Sequence, residues 1–171
     1  LDVSENKFAS ERPVNRILIV SVTSNRGLCG AFNNNVIKEV KRIMGDYEGA
    51  DFKVLSVGKK SFDAFKKGNY TPGVGYPEEP FKIYDNLNFE ESSIIAQSIM
   101  DKFSEGKIDK VYLVYNSFKN AAAQILKTEQ MLPILPPQAQ EESITQTEYI
   151  FEPNQADIIE EIIPKSLKIQ L

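Results

Sequence analysis

Apolar residues are arranged along this chain in two ways, as short, nearly continuous runs and as longer stretches with helical spacing. The short runs lie at residues 17–22, where only Ser21 is polar, at residues 53–57, where Lys53 and Ser56 are polar, and at residues 111–115. Such runs suit strands of a parallel sheet, because both faces of that sheet are covered by helices. The helical spacing occurs in residues 36–44, 59–67 and 88–103, which predicts helices with one buried face.

The order of these segments predicts the fold class. Strand, helix, strand, helix, helix and strand indicate a three-layer α/β/α, Rossmann-like domain with a mostly parallel, twisted sheet. Residues 121–132 are mixed in polarity and suit an edge strand, for which an antiparallel pairing stays open. Residues 148–151 suit a last short strand, so we expect about five strands. Pro72, Pro77 and Pro80 place a loop in residues 70–88.

We expect one globular domain in residues 16–152, preceded in residues 1–15 by a linker or the end of a preceding helix. Pro153 fits the first turn of a further helix. The apolar stripe of that helix continues to the last residue through Ile159, Ile163, Leu167 and Leu171. No C-cap follows the stripe, so we expect residues 153–171 to be the start of a longer helix that has been cut.

The composition of the 171 residues argues against several classes of function. There is no histidine, which excludes Ser-His-Asp triads and most catalytic zinc sites. The net charge of −4 provides no overall basic field for nucleic acid. No apolar run approaches the roughly 20 residues of a transmembrane helix, so we expect no membrane insertion. Cys29 is the only cysteine, which rules out an internal disulfide.

The polar turn between the first strand and the first helix invites a nucleotide-binding interpretation. However, Gly27 and Gly30 do not make the G-x-G-x-x-G pattern, and the Gly-Lys-Ser/Thr end of a phosphate loop is absent. Arg26 and the helix N-terminus leave some anion affinity open. We favour a structural turn that also contacts a protein, with Cys29 as an inert thiol, and we expect no cofactor and no metal.

Two stretches resemble a known family. Residues 23–33, TSNRGLCGAFN, are similar to the signature of the gamma subunit of F-type ATP synthases, the central rotor shaft. Residues 149–153, YIFEP, are similar to the Y-x-[YF]-E-P of that family, and Ile162-Ile163-Pro164 is similar to its L-L-P. Asn25 departs from the commoner aspartate, which leaves any ionic role at that position in doubt.

The resemblance implies a non-catalytic rotor component that couples proton flow through a membrane ring to ATP synthesis. Its implied partners are the alpha and beta subunits of the catalytic hexamer, the epsilon subunit and the c-subunit ring. Its implied location is peripheral, on the cytoplasmic face of an energy-transducing membrane such as a bacterial inner membrane. The long shaft helices that the family carries on both sides would then be missing from this chain.

The resemblance also implies contact residues. The turn would contact the beta subunits through Arg26, Gly27, Leu28, Cys29 and Gly30. The foot of the rotor would contact the ring and the epsilon subunit through Tyr149, Phe151 and Glu152. For the two aromatic residues, packing into the core stays open as the simpler explanation.

Two other functions remain open from the sequence. One is a small doubly wound nucleotide-binding module or enzyme, supported by the fold class alone. The other is a stand-alone interaction domain, which differs from the rotor component only in its parent chain.

Overall fold

A computed structural model describes residues 8–24, 30–68, 70, 89–120 and 123–134 of the chain. The helices and strands within these ranges are β1 (Arg16–Val22), α1 (Gly30–Asp46), β2 (Asp51–Val57), α2 (Lys59–Phe65), α3 (Phe89–Ser104), β3 (Lys110–Asn120) and β4 (Ala123–Leu132). The strand predicted at residues 148–151 and the helix predicted from Pro153 lie outside the described residues. Of the loop predicted in residues 70–88, only Tyr70 is described.

The described strands form one sheet in the order β2-β1-β3-β4. β1 is parallel to both β2 and β3, whereas β4 is antiparallel to β3. The mostly parallel sheet is therefore confirmed, and so is the antiparallel strand at the edge of the described sheet. The two parallel neighbours of β1 are reached through α1 on one side and α3 on the other, which is a doubly wound connectivity.

Helices cover both faces of this sheet, which confirms the three-layer fold. On one face, α1 and α2 pack over the odd-numbered residues of β1 in a cluster that includes Ile17, Ile19, Val36, Val40, Ile43, Val54, Phe65 and Val114. On the other face, α3 packs over the even-numbered residues of β1 in a cluster that includes Leu18, Val20, Leu55, Ile99, Met100, Phe103, Val111 and Leu113. β1 thus has apolar residues on both faces, as its nearly continuous apolar run predicts.

Two element boundaries differ from the sequence pattern. β3 continues to Asn120 beyond the apolar run, because the polar residues Asn116 and Ser117 still pair with Leu126 and Ile125 of β4. α2 ends at Phe65, before Gly68, whose backbone N–H donates to the Phe65 carbonyl. In both places backbone hydrogen bonds decide the boundary.

Candidate functional site

The carboxyl edge of the parallel strands is the first place to look for a functional site. In doubly wound sheets ligands bind at this edge, where the chain turns to opposite sides of the sheet. The turn with the family-like motif leaves β1 here. Of its predicted contact residues only Gly30 is described. It is the exposed first residue of α1, and no atom of the described residues lies within 4 Å of where a Cβ atom would stand. Arg26, Gly27, Leu28 and Cys29 lie outside the described residues, as do Tyr149, Phe151 and Glu152.

Asn33 of α1 holds the residue at which the turn begins. Its Oδ1 accepts a hydrogen bond from the Ser24 backbone N–H at 3.1 Å, and its Nδ2 donates to the Ser24 Oγ at 2.8 Å. Asn33 is only 4% exposed. A buried amide needs hydrogen-bond partners. Here the oxygen and the nitrogen of the Asn33 side chain both bond to Ser24, just after the end of β1.

Thr23 is held from the other side by β2 and α2. Its backbone N–H donates to the Val57 carbonyl at 2.8 Å, and its Oγ1 accepts from the Ser61 backbone N–H at 2.9 Å. The backbone of Gly58 passes so close that a Cβ atom there would stand 2.0 Å from the Thr23 carbonyl oxygen. Ser61 and Ser56 also share a hydroxyl hydrogen bond of 2.9 Å.

The far end of the turn is tied to β3. Asn116 donates from Nδ2 to the Phe32 carbonyl in the first turn of α1, at 3.0 Å. The polar side chains at this edge therefore brace the chain on both sides of the turn. Among the residues that the structure describes, no group of three or more histidine, cysteine, aspartate or glutamate side chains is placed to hold a metal ion.

A second polar cluster lies at the opposite, amino edge of the sheet. Asp109, 4% exposed, accepts hydrogen bonds from Arg12 Nε at 2.9 Å and from the backbone N–H groups of Asn15 at 3.0 Å and Arg16 at 2.9 Å. Burial opposes ionisation, but the Arg12 guanidinium and the two N–H groups hold the pKa of Asp109 below its ordinary value of 3.8. The carboxylate thus fastens the residues before β1 to the start of β3.

A third cluster joins the end of α1 to the start of β3. The hydroxyls of Tyr47 and Tyr112 are hydrogen-bonded, and Lys110 Nζ donates to the Tyr47 hydroxyl at 3.0 Å. Burial favours the neutral phenol, yet the hydrogen bond from Lys110 lowers the pKa of Tyr47 below 10.0. Burial raises the pKa of Tyr112. The two hydroxyls and the Lys110 ammonium group are hydrogen-bonded to one another, which indicates a packing contact between the end of the helix and the strand.

Sequence reasoning did not single out the bracing residues. Asn33 is the last residue of the TSNRGLCGAFN stretch, so a signal for it was present in the motif itself. Arg12 and Asp109 are 97 positions apart and gave no local signal. Asn116 follows the apolar run of β3 and reads as a strand end, although β3 continues past it.

Fold and contacts together define a doubly wound α/β domain whose polar clusters brace its own strand ends and turns. The sequence model of the family described as ATP synthase matches residues 2–171, so the chain belongs to that family. It is 46% identical to the ATP synthase gamma chain of Christiangramia forsetii over 99% of its own length. It is 45% identical to that of Flavobacterium johnsoniae over 96% of its length.

Solved structures agree on the fold. The chain is similar to one in the central stalk and c-ring of the Tetrahymena thermophila mitochondrial ATP synthase, with a TM-score of 0.60 and 25% identity, over 99% of this chain and 78% of that one. A chain of the Euglena gracilis mitochondrial ATP synthase rotor has a TM-score of 0.58 at 18% identity, over 98% of this chain and 69% of that one.

The chain spans only part of the relatives that it matches, 57% of the Christiangramia protein and 55% of the Flavobacterium protein. None of the helices in the described ranges is long and apolar enough to cross a membrane.

Proposed function

We propose that this chain is the globular domain of the rotor subunit in the central stalk of an F-type ATP synthase. In this role it couples proton flow through the membrane ring to ATP synthesis in the catalytic hexamer, and it carries no catalytic residue. The observation that supports this most directly is the 46% identity to an ATP synthase gamma chain across 99% of the chain.

The structure suits this mechanical role. A rotor must pass torque without bending, and a close-packed core deforms little. Here one sheet is packed on both faces, and β1 lies between two parallel neighbours in its centre. The polar groups at the carboxyl edge brace the backbone at Thr23, Ser24 and Phe32.

Two contact regions follow from the family resemblance and are part of the proposal. The turn with Arg26, Gly27, Leu28, Cys29 and Gly30 contacts the beta subunits of the alpha and beta hexamer. In support of this, Asn33 holds Ser24 and Asn116 holds Phe32, so the described residues on both sides of these positions are fixed to the sheet and to α1.

The second contact region is the foot of the rotor. Tyr149, Phe151 and Glu152 contact the c-subunit ring and the epsilon subunit. The protein is then peripheral to an energy-transducing membrane, on the cytoplasmic face of a bacterial inner membrane. The relatives in Christiangramia and Flavobacterium support a bacterial source of this kind.

The decisive experiment uses the full-length chain that carries this sequence, assembled with its alpha, beta, epsilon and ring subunits in liposomes. We expect ATP hydrolysis to drive proton uptake, because hydrolysis in the hexamer turns the rotor and the ring. The matched control omits this chain alone. Hydrolysis without proton uptake in the complete assembly, at the level of the control, would contradict the rotor function.

A titration of the same full-length chain with the epsilon subunit tests the foot. We expect saturable binding that is weakened by Tyr149→Ala or Phe151→Ala, because aromatic side chains often carry much of the binding energy of an interface. Binding left unchanged by both substitutions would remove these residues from the interface. A clear rise of the melting temperature in millimolar ATP, ADP or NAD would instead favour a nucleotide-binding module.

A further inference from the structure

The amino edge of the sheet is where the described chain enters the domain and where it leaves. Phe8 and Ala9 have helical backbone, and residues 10–15 then lead into β1. After β4 the chain continues to Ile134, whose backbone N–H donates to the Phe8 carbonyl at 2.7 Å. The incoming and outgoing segments are therefore hydrogen-bonded to each other beside the sheet.

Arg12 ties this incoming segment to the corner between α3 and β3. Its Nε donates to Asp109 Oδ1 at 2.9 Å, and its Nη2 donates to the carbonyls of Phe103, at 2.7 Å, and of Ile108. The guanidinium also lies over the Phe103 ring, 4.2 Å from the centroid. The planar fork of arginine allows several directional contacts at once, which a lysine ammonium does not reproduce.

Asp109 connects the same corner to the start of β1. Its second carboxylate oxygen accepts from the backbone N–H groups of Asn15 and Arg16, and its own N–H donates to the Arg16 carbonyl at 2.8 Å. Phe8 completes the attachment by stacking on Phe103 with 6.4 Å between centroids. A single buried carboxylate thus joins the incoming segment, β1 and β3.

These contacts resist rotation of the incoming segment about its own axis. Arg12 bonds to three oxygens, one at the end of α3 and two in the connection to β3, so a rotation in either direction stretches some of these bonds. A hydrophobic contact alone would slide, because it is non-directional. The force then reaches β1 and β3, which pair directly in the centre of the sheet.

We propose that Arg12 and Asp109 form a torque-bearing joint between the sheet and the chain segments that flank the domain. They are positioning residues that fix the angle of these segments. The inference rests on the proposed rotor function, since only in a rotor does torque pass between the flanking segments and the domain.

The test uses the full-length chain in the complete ATP synthase in liposomes. Arg12→Ala removes the joint, and Arg42→Ala is the matched control, because Arg42 also makes two ion pairs, but with Glu39 and Asp46 of its own helix. We expect Arg12→Ala to lower proton uptake per ATP hydrolysed several-fold while hydrolysis continues. Arg42→Ala should leave this ratio unchanged.

Amide hydrogen exchange on the same proteins separates the joint from general instability. In Arg12→Ala, residues 8–16 should lose protection while the remainder of β1 and β3 keep theirs. Arg12→Lys keeps the positive charge and serves as the second variant if the alanine variant does not fold. Its proton uptake per ATP hydrolysed should lie between those of the alanine variant and the wild type.

Three outcomes have distinct meanings. The joint would be overturned if Arg12→Ala or Arg12→Lys took up as many protons per ATP hydrolysed as the wild type while amide hydrogen exchange in residues 8–16 increased. An equal fall of the ratio in Arg42→Ala would also overturn it, because a generic loss of charge would then suffice. A wild-type assembly that hydrolyses ATP without taking up protons would instead overturn the rotor function on which the joint rests.

Discussion

At the scale of single residues, Gly58 is the position where the backbone permits no side chain. Its φ is +121°, and an added Cβ atom would stand 2.0 Å from the Thr23 carbonyl oxygen. An alanine at this position would have a strained backbone and would also clash with Thr23. We therefore expect Gly58→Ala to lower the free energy of unfolding by about 3 kcal/mol. Urea unfolding measures the loss.

Gly106 is the matched control for that prediction. Its φ is also positive, at +77°, but within the described part of the chain no atom lies within 4 Å of an added Cβ atom. Gly106→Ala should therefore cost only about 1 kcal/mol, from the left-handed backbone alone. Equal losses in the two variants would show that contact with Thr23 contributes nothing.

Asn33 gives a second prediction at this scale. Asn33→Ala removes both hydrogen bonds to Ser24 and leaves the Ser24 N–H without that partner, so we expect a loss of about 2 kcal/mol. The thiol of Cys29, the single cysteine of the chain, should also react faster with a disulfide reagent, because Cys29 lies in the sequence between Ser24 and α1, the two parts that Asn33 joins.

Asn34 provides the control, since it is exposed on the same helix. Alanine favours helix more than asparagine does by up to about 0.7 kcal/mol, so Asn34→Ala should be neutral or slightly stabilising. The proposal that Asn33 holds Ser24 in place would be contradicted if Asn33→Ala and Asn34→Ala gave the same free energy of unfolding and the same reaction rate of the Cys29 thiol.

At the scale of elements, the attachment of residues 8–16 should depend on pH through Asp109. Its pKa in the folded protein is lowered, so ionised Asp109 stabilises the fold above the ordinary value of 3.8. That stability is lost as the pH falls below 3.8 through the folded-state pKa. Near neutral pH, Asp109→Asn should cost about 2 kcal/mol, because Arg12 and two N–H groups lose their charged acceptor.

The measurement is urea unfolding of the wild type and Asp109→Asn at a series of acidic pH values. The difference in stability should shrink as the pH falls below 3.8, because the unfolded wild type then takes up a proton at Asp109 while the folded protein still resists it. Below the lowered pKa of the folded protein, both proteins carry an uncharged side chain at position 109 and the difference stops changing. Asp101→Asn is the control, because Asp101 is exposed on α3. A difference between wild type and Asp109→Asn that stays constant down to strong acid would rule out this role of the charge.

The sequence predicted the elements themselves well, because their signals are local. The apolar runs of β1, β2 and β3 and the helical spacing of α1 and α3 each lie within one short window. The mixed polarity of residues 121–132 indicated an edge strand for the same reason, and this strand is confirmed as β4, Ala123–Leu132. The extension of β3 past the apolar run has no local signal, because it depends on pairing with β4.

At the scale of the whole molecule, the family motif named contact residues and contains Asn33, but it gave no information on the supporting contacts that lie far apart in the sequence. The pairs Arg12–Asp109 and Tyr47–Tyr112 are 97 and 65 positions apart. Such pairs arise only when the sheet brings β1 and β3 together, so a single sequence cannot indicate them. The contact roles of Arg26 to Gly30 and of Tyr149, Phe151 and Glu152 stay predictions.

The two hydrophobic clusters lie on opposite faces of one sheet, and this arrangement predicts how the whole domain unfolds. Ile43 of α1 and Ile99 of α3 are 2% and 3% exposed, one in each cluster. Ile43→Ala and Ile99→Ala should each lower the free energy of unfolding by about 3 kcal/mol. Because β1 contributes to both clusters, each variant should still unfold in one transition with an unchanged urea m-value.

The double variant makes this prediction stringent. The two side chains share no cluster, so their losses should add to within about 0.5 kcal/mol. Since both helical layers pack on the same sheet, they should be lost together when the domain unfolds. Two separate transitions in either single variant, seen by circular dichroism and tyrosine fluorescence at different urea concentrations, would mean that one helical layer melts alone. The sheet with its two layers would then not act as one rigid body.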